Sequence, residues 1–412
     1  MLAGGGGAVR FAAHAQREVR TSMELEGQAL ALSPRETDAL SALGIAVRGG
    51  IRGRQDAALA RARNAVGSRD GRHVLALYQL ELGRLRNDDS LRAPALDELI
   101  ASGLTRPAKL AGHLAARGSI AFRLRDFETA SRHWTRLLEM NPNDPDVLAN
   151  LAQVRQAQND PQGAADLLAR AIAARTAAGG PISEIWYRQQ MSVANQATML
   201  RPAIAAGRAL VGAYPSPRNW REALVVYRQL AAPRDGLEID LLRLMRFIGA
   251  FSRADEYQRM AQLLNRATAA VEAKAVLDEG VARGLLIARE SPTREIIAEV
   301  ERTIARDRVS VEAMLRQRPA ANMLALANAL AGSGRNAEAI PLYRAALSGA
   351  PVADAAEVNV RLGMALLLAG QRQQAEAAFR LAAEDEAALA QPGRYADLAQ
   401  FWLAWLAQAS AR

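Results

Sequence analysis

Cysteine is absent from all 412 residues. Disulfides, thiol catalysis and cysteine-ligated metals are thereby excluded, while the compartment stays open. Aromatic side chains are scarce, at 5%, although half the chain is apolar. Alanine and leucine dominate and β-branched runs are rare, which is the composition of packed helices rather than of sheets. Long hydrophobic runs are missing too. The longest, such as "GMALLLAG" at 363–370, are far too short to cross a bilayer. Lysine occurs only at Lys109 and Lys274, so nearly all of the 52 basic residues are arginine. A GC-rich genome produces that bias without any nucleic-acid ligand. Charged residues make up 23%, an ordinary share that argues against wholesale disorder.

Catalytic signatures are lacking as well. The chain has no P-loop, no G-x-G-x-x-G after a strand, no G-x-S-x-G elbow and no H-E-x-x-H. "GSG" at 332–334 falls in a turn between helical patterns, and "GGGG" at 4–7 precedes no strand. His14, His73, His113 and His133 are scattered; His113 and His133 could face each other across one hairpin, but no third ligand is evident. "RNDDS" at 86–90 and "NPNDPD" at 141–146 are turn chemistry, without the spacing of a calcium loop. The expectation is a non-enzyme with no cofactor and no metal.

What the chain does carry is positive charge, +9 in all. Residues 1–125 hold 19 basic and 12 acidic side chains, and Arg48, Arg52, Arg54, Arg61 and Arg63 form the densest cluster. Such a face can steer an acidic partner or touch anionic lipid or nucleic acid. A solvated helical surface is the plainer reading. No aromatics are interleaved for base stacking, so nucleic acid is disfavoured. "MLAGGGGAVRFAAHAQREVR" has neither a basic n-region nor a hydrophobic core, so it does not read as a signal peptide. It is also a poor start for packed helices, which leads us to expect an upstream targeting segment. No transmembrane segment is expected, and the chain reads as soluble, in a bacterial cytoplasm or periplasm.

The chain also carries a repeat. In 111–144, Leu114 and Gly118 sit on a first helix, Ala130, Trp134 and Leu137 on a second, and Pro142 closes the unit. The matching positions in 145–178 are Leu148, Ala152, Ala164, Leu168 and Ala171. In 320–353 they are Met323, Ala327, Ala339, Tyr343, Ala346 and Pro351, and in 356–389 they are Asn359, Gly363, Ala375, Phe379 and Ala382. Units 184–217 (Tyr187, Ala203, Leu210, Pro215) and 254–287 (Tyr257, Ala261, Leu264, Ala273, Leu277, Gly280) match more loosely. Helical pairs at about 36–66, 72–104 and 218–250 keep the length without the signature, and "EGQALALSP" at 26–34 reads as the tail of a further unit. Small residues let two antiparallel helices approach, the aromatic fills the groove between neighbouring hairpins, and proline stops the second helix. Pro341 lies inside a second helix, which predicts a late helix start or a kink. No single hairpin buries its own apolar face, so stacking must supply the core.

This pattern resembles the tetratricopeptide repeat family, specifically in four units and loosely elsewhere. The resemblance implies an all-α solenoid, a right-handed superhelix of roughly ten helical hairpins. Its expected parts are basic degenerate hairpins at 1–110, a central array at 111–287, an irregular charged helical segment at 288–319, a repeat pair at 320–389 and a capping helix at 390–412. In the last part Trp402 and Trp405 either seal the final repeat or anchor a partner.

In the family the first helices line a concave face. Carried over position by position, the lining here is Asn150, Gln153 and Gln156; Arg188, Gln189, Ser192, Asn195 and Gln196; Gln258, Arg259, Gln262, Asn265 and Arg266; and Asn328. Amides both donate to and accept from a peptide backbone, and arginines favour carboxylates. The resemblance thus implies a non-catalytic scaffold that binds a protein or peptide, with an acidic partner preferred. Two alternatives are an accessory subunit of a bacterial envelope or polysaccharide synthesis or export machine, and nucleic-acid or anionic-lipid binding through the arginine-rich first third. The lysine and asparagine clamp for chaperone tails is not reproduced, since no lysine occupies these positions.

Overall fold

The computed structural model describes residues 10–11, 23–25, 28–267, 269–317, 323–349, 354–385, 390 and 393–410. They divide into two compact units, residues 1–180 and 181–412. In the first, three short strands, β1 (Arg10–Phe11), β2 (Met23–Leu25) and β3 (Gln28–Leu30), pair antiparallel in the order β1-β2-β3. Residues 28–30, expected as a helical tail, are therefore extended. Pro34 holds Ser33 in the β region, at φ −72° and ψ 157°, as proline does to its predecessor. The helix can start only after it.

Eight helices follow in four hairpins. They are α1 (Pro34–Gly49) with α2 (Arg52–Ala65), α3 (Arg69–Arg86) with α4 (Asp89–Ala101), α5 (Pro107–Arg123) with α6 (Phe127–Met140), and α7 (Pro145–Ala157) with α8 (Pro161–Ala177). Their starts are written in the sequence: Ser33, Ser68, Asp126, Asp144 and Asp160 each accept a backbone N–H of the first turn, which satisfies donors the helix cannot. Between α5 and α6 and between α7 and α8 the chain reverses through Arg125 (φ 62°) and Asn159 (φ 61°).

The small residue lets the two helices approach as expected, while the aromatic, expected in the groove between neighbouring hairpins, lies against the first helix of its own. Trp134 is only 3% exposed and gives its indole N–H to the Ala115 carbonyl at 3.4 Å. A Cβ at Gly118 would come within 2.6 Å of Trp134 Cδ1, so only glycine allows α6 to bring its indole onto α5. Leu114, Ala130 and Leu137 join the same core with Val147 and Leu151 of the next hairpin. Gly363 and Phe379 repeat the arrangement in the second unit, with a Cβ 2.6 Å from the ring.

The second unit holds α9 (Glu184–Gln196), α10 (Leu200–Ala213), α11 (Pro217–Ala231), α12 (Asp235–Phe247), α13 (Ala254–Arg266), α14 (Ala270–Ala282), α15 (Thr293–Gln317), α16 (Met323–Gly332), α17 (Asn336–Ser348), α18 (Ala355–Leu368), α19 (Arg372–Ala383) and α20 (Tyr395–Ser410). Helix α17 starts at Asn336 and runs through Pro341, so the late start expected there does not occur. Buried Ala339, Ile340 and Tyr343 hold the helix across the ring. Pro351 lies outside the described residues. The charged stretch after α14 forms one 25-residue helix, α15, which packs on both α13 and α14.

The last helices do not simply extend the stack. Helix α20 packs against α19 and α18 and also reaches α10 and α12. Phe401 contacts Trp220 and stacks with Tyr227, the Tyr227 hydroxyl donates to the Arg394 carbonyl at 2.8 Å, and Gln408 donates to the Val211 carbonyl at 2.7 Å. The C-terminal repeats thus fold back onto the earlier hairpins of the same unit, and one continuous apolar core runs through it.

Candidate functional site

The predicted lining residues fall on first helices in both units. Asn150, Gln153 and Gln156 are half-buried on α7. On α9, Arg188, Gln189 and Asn195 are half-buried, while Ser192 and Gln196 are exposed. On α13, Gln258, Arg259 and Asn265 are half-buried, with Gln262 and Arg266 exposed, and Asn328 is half-buried on α16.

Several of them brace neighbouring helices. Arg188 donates to Glu184 at 3.0 Å on its own helix, to Glu222 of α11 at 2.9 Å and to Asn219. Gln258 donates to Thr293 at 3.1 Å and Asn265 to Glu299 at 3.2 Å, both on α15. Arg259 pairs bidentately with Glu238 of α12 at 2.6 and 3.1 Å, and Arg266 lies 3.7 Å from Asp235. Asn328 accepts from the Tyr343 hydroxyl at 2.9 Å. Glu238 is buried, and a buried carboxylate needs such a partner. Asn195 and Asn265, at the same position of their repeats, each keep a buried Oδ1 without a partner among the described residues.

The fold-back creates a second feature, which the sequence reading missed. A pocket of about 320 Å³ opens in the second unit between α12, α14, α16, α17, α18 and α20. Beside it Asp240 is fully buried and takes Arg361 at 2.9 Å, Arg243 at 2.6 Å and the Tyr395 hydroxyl at 3.2 Å. Arg361 also pairs with Glu357 at 2.6 Å, and Arg243 with Glu272, Nε to Oε1 at 2.9 Å. Burial pushes the Glu357 carboxyl above its usual range against the pull of Arg361, and burial likewise raises the Tyr343 and Tyr395 hydroxyls. These partners come from helices far apart in the chain, and no local spacing announces them. Trp402 is buried in this region and stacks on Phe379 with centroids 5.3 Å apart. It is core rather than a free anchor. Trp405 packs edge-on to Phe247.

His14 lies outside the described residues, and His113 and His133 have different partners. His73 Nδ1 is 2.9 Å from Ser102 Oγ, and burial lowers its pKa. Burial lowers that of His113 too, whose charged neighbours are Arg84, His73 and Lys109 rather than His133. His133 lies 3.8 Å from Asp97. Among the described residues no three His, Asp or Glu side chains converge as a metal site would need, and no helix is long and apolar enough to cross a membrane.

Each described hairpin from α5 to α8 places the small residue, the aromatic or leucine and the alanine where the repeat motif requires them. The fold is a tetratricopeptide-like array of helical hairpins. No protein-family model and no curated protein matches the chain. Among solved structures it is similar to pilF of Pseudomonas aeruginosa at 13% identity, covering 56% of this chain and 91% of that one with a TM-score of 0.31. It is similar to the TPR2AB domain of yeast Sti1 in its pHSP90 complex at 13%, covering 73% and 99% with a TM-score of 0.27. Naa15 in the Naa15/Naa10 complex bound to HypK is matched at 13%, covering 85% of this chain and 53% of that chain with a TM-score of 0.45. At these values the likenesses carry no argument about partners or activity.

Proposed function

We propose that the chain is a non-catalytic scaffold that holds a protein partner along the ridge of first helices α9 and α13. The observation that carries this reading is the pair of buried, unpartnered amide oxygens of Asn195 and Asn265 at equivalent repeat positions. An orphaned acceptor is costly, and a rotation of each side chain would offer it to the N–H of a docked chain. Exposed Ser192 and Gln262 on the same helices supply further groups for a backbone. The braces from Arg188 and Arg259 keep the helices rigid, which lowers the ordering cost of binding. The test is a photo-crosslinking residue placed at Ser192 or at Gln262 in the full chain, in cells. One protein captured at both sites, and lost when Asn195→Ala and Asn265→Ala are combined, supports the reading. Capture that ignores both substitutions sinks it.

A second reading has its own observation in the first unit. Ile45 and Ile51 are 65% and 52% exposed beside exposed Arg48, Arg52 and Arg54, for which no ion pair occurs among the described residues. Apolar side chains ringed by unpaired cations suit an anionic lipid surface. Sedimentation with phosphatidylglycerol vesicles should fall on Arg48→Glu/Arg52→Glu and on Ile45→Ser/Ile51→Ser. A loss with the charge change alone would point to a soluble acidic partner instead.

A further inference from the structure

The pocket between α12, α14, α16, α17, α18 and α20 is separate from the first-helix ridge and stands independently of its role. Its walls are of two kinds. One is apolar: Phe247, Met364, Leu368 and Trp402. Two of these are unusually bare for large hydrophobics, with Leu368 60% and Phe247 39% exposed, so the pocket opens to solvent across an apolar lip. Filling it would remove that lip from water, and burial of apolar area is the main source of affinity in such cavities.

The other wall is charged, and its arginines differ. Arg243 is fully committed, to Asp240 through one terminal nitrogen and to Glu272 through the rest of its fork. Arg246 gives only its Nε, to Glu279 at 2.7 Å. Its two terminal nitrogens make no bond among the described residues. Glu279 is itself shared: Arg283 lies 3.8 Å away and the Tyr257 hydroxyl donates to it at 3.1 Å. Two arginines thus share the one carboxylate of Glu279. A second donor waits nearby. The Trp402 indole N–H is buried and has no partner among the described residues, although its ring is locked by Phe379 and Phe247. Buried N–H groups are nearly always satisfied, and a polar side chain held this firmly without an acceptor marks the place of one.

We propose that this pocket binds an apolar group ending in a carboxylate, its body against Phe247, Met364 and Leu368 and its carboxylate on the free fork of Arg246. A guanidinium fork matches the two oxygens of a carboxylate, and the indole N–H supplies a donor that a carboxylate oxygen can take. The volume holds one such group of about the size of a large amino acid or a short aryl acid, near the lower end of ordinary ligand pockets. The same chemistry occurs in a free small acid and in the apolar C-terminal residue of a chain.

Titration of the full chain by calorimetry separates these sources and tests the site. The probes are 4-phenylbutyrate and its neutral amide, and a hexapeptide ending in phenylalanine with a free or an amidated C-terminus. The acid forms should bind at least about tenfold more tightly than the amides, by the strength of a charge-assisted pair. Tighter binding of the free-ended peptide than of the small acid assigns a chain terminus as the ligand; the reverse assigns a small molecule. Arg246→Gln should weaken the acid at least about tenfold and leave the amide unchanged. Because Arg246 also touches Glu279, Leu368→Ser serves as a second variant on an exposed position and should weaken both forms alike. Trp402→Phe removes the N–H and part of a core ring, so it should lower the melting temperature and weaken the acid more than the amide. Equal binding of acid and amide, an acid indifferent to Arg246→Gln, or no heat from any probe at millimolar concentration would each overturn the proposal.

Discussion

Gly118 and Trp134 offer a double-mutant cycle whose sign reverses if the packing is as described. Trp134 is almost fully buried against α5 and the following hairpin. Truncation to alanine removes a side chain that buries about 150–250 Å² and leaves a cavity, for a loss of about 3–5 kcal/mol. Gly118→Ala in the native background forces a methyl group to within 2.6 Å of the indole. That overpacking costs about 1–3 kcal/mol, against a helix-propensity gain of about 1 kcal/mol. In the Trp134→Ala background the obstruction is gone, the propensity gain remains, and the same substitution should stabilise by about 1 kcal/mol. The two effects of Gly118→Ala should therefore differ by about 1–3 kcal/mol, the coupling energy of the contact. Urea denaturation followed by far-ultraviolet circular dichroism measures all four proteins. An identical shift in both backgrounds would show that α5 and α6 do not meet at this pair.

Other outcomes follow from individual contacts. Asp240→Leu and Arg361→Leu should each destabilise the second unit by about 1–3 kcal/mol, because each removes one pair from a buried network in which Arg243 still holds Asp240 and Glu357 still holds Arg361; the double replacement should cost less than the sum of the two, and additive losses in a thermal melt would refute the pairing. Burial pushes the Glu36 carboxyl up, but hydrogen bonds from Ser68, Ser33 and Gly67 outweigh it and hold the pKa down at about 2, from 4.5. Its folded pKa being the lower, its contribution is complete above pH 4.5 and disappears as the pH falls toward 2. Glu36→Gln should cost about 1–2 kcal/mol near neutral pH, with solvent screening allowed for, and nothing near pH 2; a gap that stays constant across that range would contradict the assignment. Gln262→Ala, on an exposed position, should change stability by less than about 0.5 kcal/mol, whereas a large loss of helicity would place it in the core.

The candidate sites divide by how local their causes are. The ridge on α9 and α13 was legible because repeat position fixes which face of a first helix a residue occupies. What the sequence reading could not see is that Arg188, Gln258, Arg259 and Asn265 are engaged by Asn219, Thr293, Glu238 and Glu299, since those partners belong to other helices. Trp402 illustrates the same limit. Its place in an apolar stripe was plain, but whether the stripe seals or recruits depended on Phe379 and Phe247 being there to receive it.

By itself the sequence determined the hairpins. Capping groups, small residues and the period-3.6 stripe act over a few residues, so the helix starts at Pro145, Pro161 and Glu184 and the Gly118–Trp134 packing follow from local chemistry. Tertiary structure alone decided that α20 returns to α10 and α12, and with it the buried Asp240 network and the pocket beside Arg246. Asp240 and Arg361 stand 121 positions apart. Contacts over such separations are chosen by how curvature accumulates from hairpin to hairpin, and no spacing rule within one helix carries that information.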